Sequence, residues 1–250
     1  MIASRLPKSC CRRKRMKAHR TRLLALAVGT LEFSACTERV ETMHSSSAQS
    51  SVSRENVGEA DTLASNSRFI RVGLASGVSI DLPRSWVVVE GERRTALETY
   101  MEAVIDLSGL KPQGYRWGAL LFALNPDPSL YASANVVSVS AAGVRPSFVD
   151  QLSAADLTSV NSKLREGVRS AMAAANRDIL SWGKSSIDSG GRSFIVTEYL
   201  RHDPNGAVRV QISQAAGHDR TITLTLSARD SEWDFWAPVL RRIRNSLAFD

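Results

Sequence analysis

The fold is decided by residues 207–226, which read AVRVQISQAAGHDRTITLTL. Apolar side chains occupy every second position in both halves of this stretch, at Val208, Val210, Ile212, Ile222, Leu224 and Leu226. Alternation with a period of two is typical of a β-strand that buries one face. Between the halves, Gly217, His218 and Asp219 provide a short turn. The stretch therefore predicts two antiparallel strands joined by a tight connection.

Strand-like sequence continues upstream of this pair. Residues 192–202 alternate in the same way and end in the turn sequence His202-Asp203-Pro204-Asn205-Gly206, so they predict a third strand. Shorter strand-like runs lie at residues 69–74, 78–82, 86–89, 117–124, 135–141 and 179–187. We therefore expect a central antiparallel β-sheet of about six to seven strands.

Three segments have the spacing of helices instead, with apolar residues at steps of three and four. The first begins near Leu97 and is stopped by Gly109 and Pro112. The second covers residues 154–175, with Ser153 available as its N-terminal cap. The chain therefore predicts an α+β fold in which helices pack on the sheet.

The last helix has the sharpest pattern. Its apolar stripe is spaced by three, four, three and four residues, at Trp233, Trp236, Leu240, Ile243 and Leu247. Arg241, Arg242 and Arg244 lie mostly off this stripe, near the C-terminal end, where positive charge suits the helix dipole. We expect the stripe to face the sheet and Arg241 to lie on the solvent side.

The N-terminus has the pattern of a signal peptide. A basic leader ends at Arg22 and is followed by an apolar run at residues 23–31. The following residues, Glu32-Phe33-Ser34-Ala35-Cys36, resemble the lipobox of bacterial lipoproteins, which implies that the Cys36 thiol is lipidated and begins the mature chain. Residues 1–35 are then the signal peptide, with Met16 as a possible true start. Two alternatives remain open: a soluble secreted protein, and a cytoplasmic chain with an apolar N-terminal helix.

The residues after Cys36 divide into a tether and a folded body. Six serines lie within residues 45–53, and no aromatic residue occurs between Cys36 and Phe69. Such a segment buries too little apolar surface to offset its ordering entropy. We therefore expect residues 36–67 to be a lipidated cysteine with a disordered tether, and residues 68–250 to be a single domain.

The charge distribution argues against a nucleic-acid binder. The chain has 32 basic and 25 acidic residues, a net charge of +7. Residues 1–35 hold nine of the bases and one of the acids, so residues 36–250 have a net charge of −1. Because phosphate binding depends on positive charge, we expect no nucleic-acid partner for the mature chain.

Both ends of the predicted domain resemble the PsbP-like superfamily, which includes bacterial lipoproteins. The start carries Val78-Ser79-Ile80-Asp81-Leu82-Pro83 and Ser85-Trp86, and the end carries a strand at residues 221–225 and Ile243-Arg244-Asn245-Ser246-Leu247. The resemblance covers roughly residues 69–249 and implies an α/β/α sandwich. It also implies a binding or assembly factor, because most members are not enzymes. No binding residue of the family carries over.

A search for catalytic and metal-binding patterns finds only weak matches. Asp188-Ser189-Gly190-Gly191 is similar to a serine-protease nucleophile sequence, but it lacks a matching histidine context and is better explained as a turn. Ser181 and Lys184 have the spacing of a penicillin-binding enzyme without its later motif. His202 and His218 lie in consecutive turns, which point to opposite ends of a sheet. We therefore expect no catalytic residue, cofactor or metal site.

These observations predict a lipid-anchored cell-envelope protein that acts as a binding or assembly module and is not an enzyme. Its lipidation site is Cys36, and its partner is an unknown envelope protein or ligand. The alternative is an envelope hydrolase with an unrecognised serine or acid site. Glu98, Glu102 and Asp106 lie on one side of the first helix and could meet a basic partner, but such a charge run is better explained as the solvated face. The protein should face the periplasm. The residue after the lipidated cysteine is Thr37, and not the aspartate that favours retention of a lipoprotein in the inner membrane, so we expect the outer membrane.

Overall fold

The computed structural model describes residues 68–107, 117–141, 144–189 and 192–249, without the side chains of residues 100–107 and 117. Its strands are β1 Phe69–Gly73, β2 Ser79–Pro83, β3 Val87–Val88, β4 Trp117–Leu124, β5 Ala132–Ser140, β6 Ile179–Trp182, β7 Ser186–Asp188, β8 Phe194–Asp203, β9 Gly206–Ala216 and β10 Arg220–Arg229. Its helices are α1 Gly91–Leu107, α2 Ala154–Ala174 and α3 Trp233–Ser246, with 3-10 turns at Ala75–Gly77, Pro146–Gln151 and Asp230–Glu232.

The strands form one large sheet and one small one. Eight strands make the large antiparallel sheet in the order β3-β4-β5-β10-β9-β8-β6, and β7 also pairs with β8. β1 and β2 form a separate two-stranded hairpin. The predicted α+β fold with a central antiparallel sheet is confirmed, but the expected count of six to seven strands is too low.

The extra strand arises where residues 179–187 were expected to form one strand. The structure divides them into β6 and β7 on either side of Gly183. The Gly183 amide donates to the Glu198 carbonyl at 2.8 Å, and a Cβ on Gly183 would lie 3.0 Å from that carbonyl oxygen. The chain therefore bends against β8 at a point where only glycine avoids a close contact.

Helices cover both faces of the large sheet. On one face, α3 and the β1–β2 hairpin share a hydrophobic cluster with Leu224 of β10. Leu224 pairs with Ser213 of β9, so the neighbouring Ile212 points to the opposite face. There Ile212 packs in a cluster with Leu164 of α2, and Leu97 of α1 joins a further cluster on this side. The result is a layer of helices on each side of the sheet.

α2 begins where the sequence predicted it would. The Asp156 amide donates to the Ser153 hydroxyl at 3.2 Å, and the Ser153 amide donates to the Asp156 carboxylate at 3.0 Å. This reciprocal capping box satisfies two amides that the helix itself leaves unpaired. The predicted cap at Ser153 is confirmed.

α3 confirms the apolar stripe and the exposed position of Arg241, and it also buries one arginine. Trp236, Leu240, Ile243 and Leu247 are buried, whereas Trp233 is half-buried. Arg244 lies off the stripe but is nevertheless buried, with 8% of the residue exposed. Its guanidinium pairs with the carboxylate of Asp188 on β7, which neutralises the buried charge, and it donates to the amide oxygen of Gln211 on β9 at 3.2 Å.

Among the described residues, three hydrophobic clusters lie between Phe69 and Phe249, and we expect a chain that contains this part to fold. The predicted signal peptide, the possible start at Met16, Cys36 and the tether lie outside the described residues. Within the described part of the chain, no helix has both the length and the apolar character needed to span a membrane.

Candidate functional site

A strip of polar side chains lies buried on the face of the sheet that α1 and α2 cover. All of its members have 1% or less of their surface exposed. We call this set the polar strip: Ser133, Asn135, Gln214, Thr221, Thr223, Thr225 and Ser227. It runs along β10 and onto both neighbouring strands, β5 and β9.

The strand register makes the strip continuous. Thr225 of β10 pairs with Asn135 of β5, and Thr223 of β10 pairs with Gln214 of β9. Directly paired residues of an antiparallel sheet have Cβ atoms about 4.5–5.5 Å apart, so these side chains are neighbours. Side chains two residues apart on one strand share a face, which adds Thr221 and Ser227.

One end of the strip satisfies its own hydrogen bonds. Ser133 donates to the hydroxyl of Ser227 at 3.3 Å, and the Tyr131 hydroxyl lies 3.5 Å from the Ser133 oxygen. Thr225 also has an interaction partner. These groups form a structural polar network rather than a recognition surface.

The other end does not satisfy its hydrogen bonds. Among the described residues, no partner is present for either amide atom of Asn135, for Nε2 of Gln214, or for the hydroxyls of Thr221 and Thr223. We call these four residues the unsatisfied cluster. A buried donor or acceptor without a partner costs about 1–3 kcal/mol, so native proteins keep such groups where another role requires them.

Apolar side chains surround the unsatisfied cluster. Phe122 of β4 pairs with Asn135, Val137 of β5 pairs with Thr223, and Ile195 of β8 pairs with Gln214. All three apolar residues belong to one hydrophobic cluster, which also contains Leu97 of α1 and Val160 of α2. The unsatisfied cluster therefore combines uncharged polar groups with apolar neighbours, which is the lining chemistry of small-molecule sites.

The chemistry of the cluster suits binding rather than proton transfer. Amides and hydroxyls both donate and accept hydrogen bonds, and they stay uncharged across the physiological pH range. The titratable Tyr199 lies on the same face of the sheet, stacked on Trp182 with ring centroids 5.3 Å apart. Burial raises the pKa of Tyr199 despite the nearby Arg201, so its hydroxyl stays protonated. No member of the polar strip can act as a general base at neutral pH.

The two histidines of the predicted domain lie far apart. His202 is exposed at the end of β8, and His218 is exposed in the turn between β9 and β10. The length of β9 separates these turns by roughly 30 Å, as expected from consecutive hairpins. Within the described part of the chain, no group of three or more histidine, cysteine or acidic side chains could hold a metal ion.

The serine motifs do not form a catalytic arrangement in the residues that the structure describes. Ser181 and Lys184 are exposed on either side of the half-buried Trp182. The hydroxyl of the nearby Ser185 contacts that of Thr197 at 2.6 Å and accepts from Asn161 at 3.0 Å, and neither partner is a base.

The second serine motif and the acidic group contain paired side chains. Asp188 pairs with Arg244, whereas Gly190 and Gly191 lie outside the described residues. Glu98 is paired with Arg94 at 3.0 Å. The side chains of Glu102 and Asp106, like Cys36, are outside the described part of the chain.

The polar strip was not predicted as a site, because its threonines follow ordinary strand alternation. One signal could have indicated it: no charged residue occurs between Arg220 and Arg229. A strand face exposed to water usually carries charges, so a face of uncharged polar residues indicates burial.

No protein-family model and no curated protein matches the sequence. Among solved structures, the chain is similar to cyanobacterial PsbP (CyanoP) from Synechocystis sp. PCC 6803, with 14% identity, 80% of this chain and 98% of that chain covered, and a TM-score of 0.44. It is also similar to LpqN, involved in cell envelope biogenesis of Mycobacterium tuberculosis, with 12% identity, 76% and 95% of the two chains covered, and a TM-score of 0.36.

Proposed function

We propose that this protein is a lipid-anchored cell-envelope binding module that holds an uncharged polar ligand at the unsatisfied cluster. The observation that carries the proposal is the set of buried hydrogen-bonding atoms on Asn135, Gln214, Thr221 and Thr223 that have no partner among the described residues. A ligand with hydroxyl or amide groups would supply those partners, and its apolar parts would pack against the surrounding hydrophobic cluster.

The ligand should be uncharged because the polar strip itself carries no charge. An ionic ligand at Asn135 or Thr223 would lose its hydration without gaining an opposite charge from the strip. The same lack of titratable groups supports binding without catalysis. We therefore propose a module that captures or presents its ligand without chemical change.

The anchor places this module at the membrane. Lipidation of Cys36 would hold the domain at the periplasmic side, with the outer membrane favoured by Thr37. Two or more acyl chains make such anchoring stable. The unidentified partner is then an envelope component within reach of the tether.

The proposed ligand class can be tested by measuring the melting temperature of residues 37–250 in the presence of monosaccharides. Glucose and N-acetylglucosamine at millimolar concentration should raise the melting temperature, because bound ligand stabilises the folded state. Glucose 6-phosphate should have no effect, and Thr223→Val should abolish the response, whereas the exposed Thr158→Val should preserve it. An equal response to the phosphorylated sugar, or no response to either neutral sugar, contradicts the proposal.

Thr223→Val should also make the free protein more stable, by about 1–3 kcal/mol, because it removes a buried hydroxyl that has no partner. The matched control is Thr225→Val on the same strand and face, where a partnered side chain is lost and stability should fall by about 1 kcal/mol. Urea unfolding of both variants measures the difference. A loss of stability in Thr223→Val would show that its hydroxyl serves the fold.

Residues 37–250 should not retard a DNA duplex in a gel at about 0.15 M salt. The expectation follows from their net charge of −1, which removes the electrostatic attraction that dominates non-specific binding. Retardation that weakens as salt is raised would contradict it.

A further inference from the structure

We propose that the unsatisfied cluster selects ligands that carry a secondary amide, such as the N-acetyl group of an amino sugar, and that Asn135 and Gln214 recognise this amide. This selectivity rests on the binding function proposed above, whose ligand class it narrows. The type and the spacing of the hydrogen-bonding atoms in the cluster both favour an amide.

The cluster contains more atoms that can only donate than atoms that can only accept. Nδ2 of Asn135 and Nε2 of Gln214 have no partner among the described residues and can only donate. Oδ1 of Asn135 has no partner there either and can only accept, while the hydroxyls of Thr221 and Thr223 can do both. A complementary ligand therefore needs an acceptor for each of the two amino groups and a donor for Oδ1 of Asn135.

The strand register places the two carboxamide side chains on either side of β10. Asn135 lies on β5 and pairs with Thr225, whereas Gln214 lies on β9 and pairs with Thr223. Adjacent strands are about 4.8 Å apart, and the two pairs are separated along β10 by two residues, or about 7 Å. The Cα atoms of Asn135 and Gln214 are therefore roughly 12 Å apart, and both side chains stand on the same face of the sheet.

A secondary amide suits two partners on opposite sides. Its carbonyl and its N–H point in opposite directions, as they do in a central strand that bonds to both of its neighbours in a sheet. The carbonyl oxygen would accept from Nε2 of Gln214, and the N–H would donate to Oδ1 of Asn135. The amide would then lie over β10, where the hydroxyl of Thr223 is available to a further oxygen of the ligand.

Other ligand groups fit less well. A ketone or an ester supplies the acceptor but no donor for Oδ1 of Asn135. A carboxylate would bring a charge among side chains that carry none, at a high cost in lost hydration. A hydroxyl donates and accepts from one oxygen, so its two partners must lie within about 6 Å of each other. Because strand side chains stand roughly perpendicular to the sheet, the longer reach of an amide suits Asn135 and Gln214 better.

The surroundings of the cluster suit the methyl group of an N-acetyl substituent. Val137 pairs with Thr223 and Ile195 pairs with Gln214, and both apolar residues belong to one buried hydrophobic cluster. A site whose polar groups are buried rejects an analogue that leaves them unpaired. Burial also means that the helix layer over the cluster must open before a ligand enters. That opening weakens the binding of every ligand by the same factor and leaves the preference unchanged.

Isothermal titration calorimetry of residues 37–250 with N-acetylglucosamine and with glucose tests the preference. The two sugars differ at one position, where an acetamido group replaces a hydroxyl. The Kd of N-acetylglucosamine should be at least about tenfold lower, because only this sugar pairs both carboxamides. Equal Kd values would overturn the amide preference but leave the binding function intact, whereas binding of neither sugar would contradict the binding function itself.

A third ligand separates the two sources of a secondary amide. N-acetylalanine methylamide carries amides without a sugar ring. If it binds at least as tightly as N-acetylglucosamine, the amide preference holds and the ligand is a peptide. If it binds more weakly, the preference holds and the ligand is an N-acetylated sugar.

Variants assign the preference to the carboxamides. Gln214→Met removes the donor with little change in volume, and Asn135→Leu removes both atoms of the other carboxamide. Each should reduce the ratio of the glucose Kd to the N-acetylglucosamine Kd to about twofold or less, whereas the exposed control Gln151→Met should keep the wild-type ratio. Urea unfolding should show both site variants to be at least as stable as wild type, since buried groups without a partner among the described residues are removed. A folded Gln214→Met or Asn135→Leu protein that keeps the full ratio would overturn the assignment.

Discussion

Replacing Trp236 with alanine will lower the free energy of unfolding by about 3–5 kcal/mol. The side chain is 4% exposed and packs at the centre of the α3 layer, with its ring centroid 6.0 Å from Trp86 and 5.0 Å from Phe235. Its indole also donates to Glu232 at 3.3 Å. Alanine would leave a cavity between α3, the hairpin and the sheet, and urea unfolding of residues 37–250 measures the loss.

Arg241→Ala is the matched control on the same helix. Its side chain is exposed and not part of the apolar stripe, so the expected change is about 0.5 kcal/mol or less. A near-neutral Trp236→Ala would mean that α3 does not hold the sheet in solution. The Trp-rich face of α3 would then become a surface for a partner. The sheet would lose the helix layer that packs on the face opposite the unsatisfied cluster.

α3 also shows what periodicity can predict. The spacing of its apolar residues correctly predicted which side is buried, because an amphipathic helix has one favourable orientation on a sheet. The same spacing could not predict the burial of Arg244. That burial depends on Asp188, which is 56 residues away in the chain, and no local pattern contains a partner at that distance.

The strands likewise show that local sequence patterns predict local structure but not contacts between distant residues. Alternation and turn residues predicted the β8–β9 and β9–β10 hairpins, because both signals are local. The division of residues 179–187 into two strands was missed, since it results from the contact between Gly183 and the Glu198 carbonyl on β8. A glycine inside a strand pattern indicates such a bend but does not identify its cause.

The candidate site was the least predictable part. Alternation of leucine and threonine on β10 describes a strand with one polar face, and such a face is normally exposed to water. Here α1 and α2 cover it, so the threonines become interior hydrogen-bonding groups. Whether a polar face is covered depends on the packing of helices that are distant in sequence. Residues 221–228 carry no charge, and this was the one feature of the local sequence that indicated the burial of the threonines.

The two faces of β10 consequently have different roles. Leu224 and its apolar neighbours pack under α3 and provide stability, while Thr223 on the other face keeps a hydroxyl without a partner among the described residues. A rigid sheet is a good support for a binding site, because it holds side chains such as Asn135 and Gln214 at fixed spacing. Stability on one face offsets the cost of the unsatisfied groups on the other.

The largest effect on the location of the protein is expected from Cys36→Ser. This change removes the thiol that a diacylglyceryl group would modify, so the protein should move from the membrane fraction to the soluble periplasmic fraction. Wild-type protein should incorporate a clickable fatty acid, and the variant should incorporate none. Acyl chains contribute roughly 0.8 kcal/mol per buried methylene, so the loss of whole chains should release the variant from the membrane.

Cys10→Ser and Cys11→Ser are the matched controls, because they remove the other two thiols of the chain from within the predicted signal peptide. Both should leave fractionation and labelling unchanged. A wild-type protein that takes up no label, together with a Cys36→Ser variant that stays in the membrane fraction, would exclude the lipid anchor. That result would not affect the proposed binding site in the sheet, because the site depends on Asn135 and Thr223 and not on where the chain is tethered.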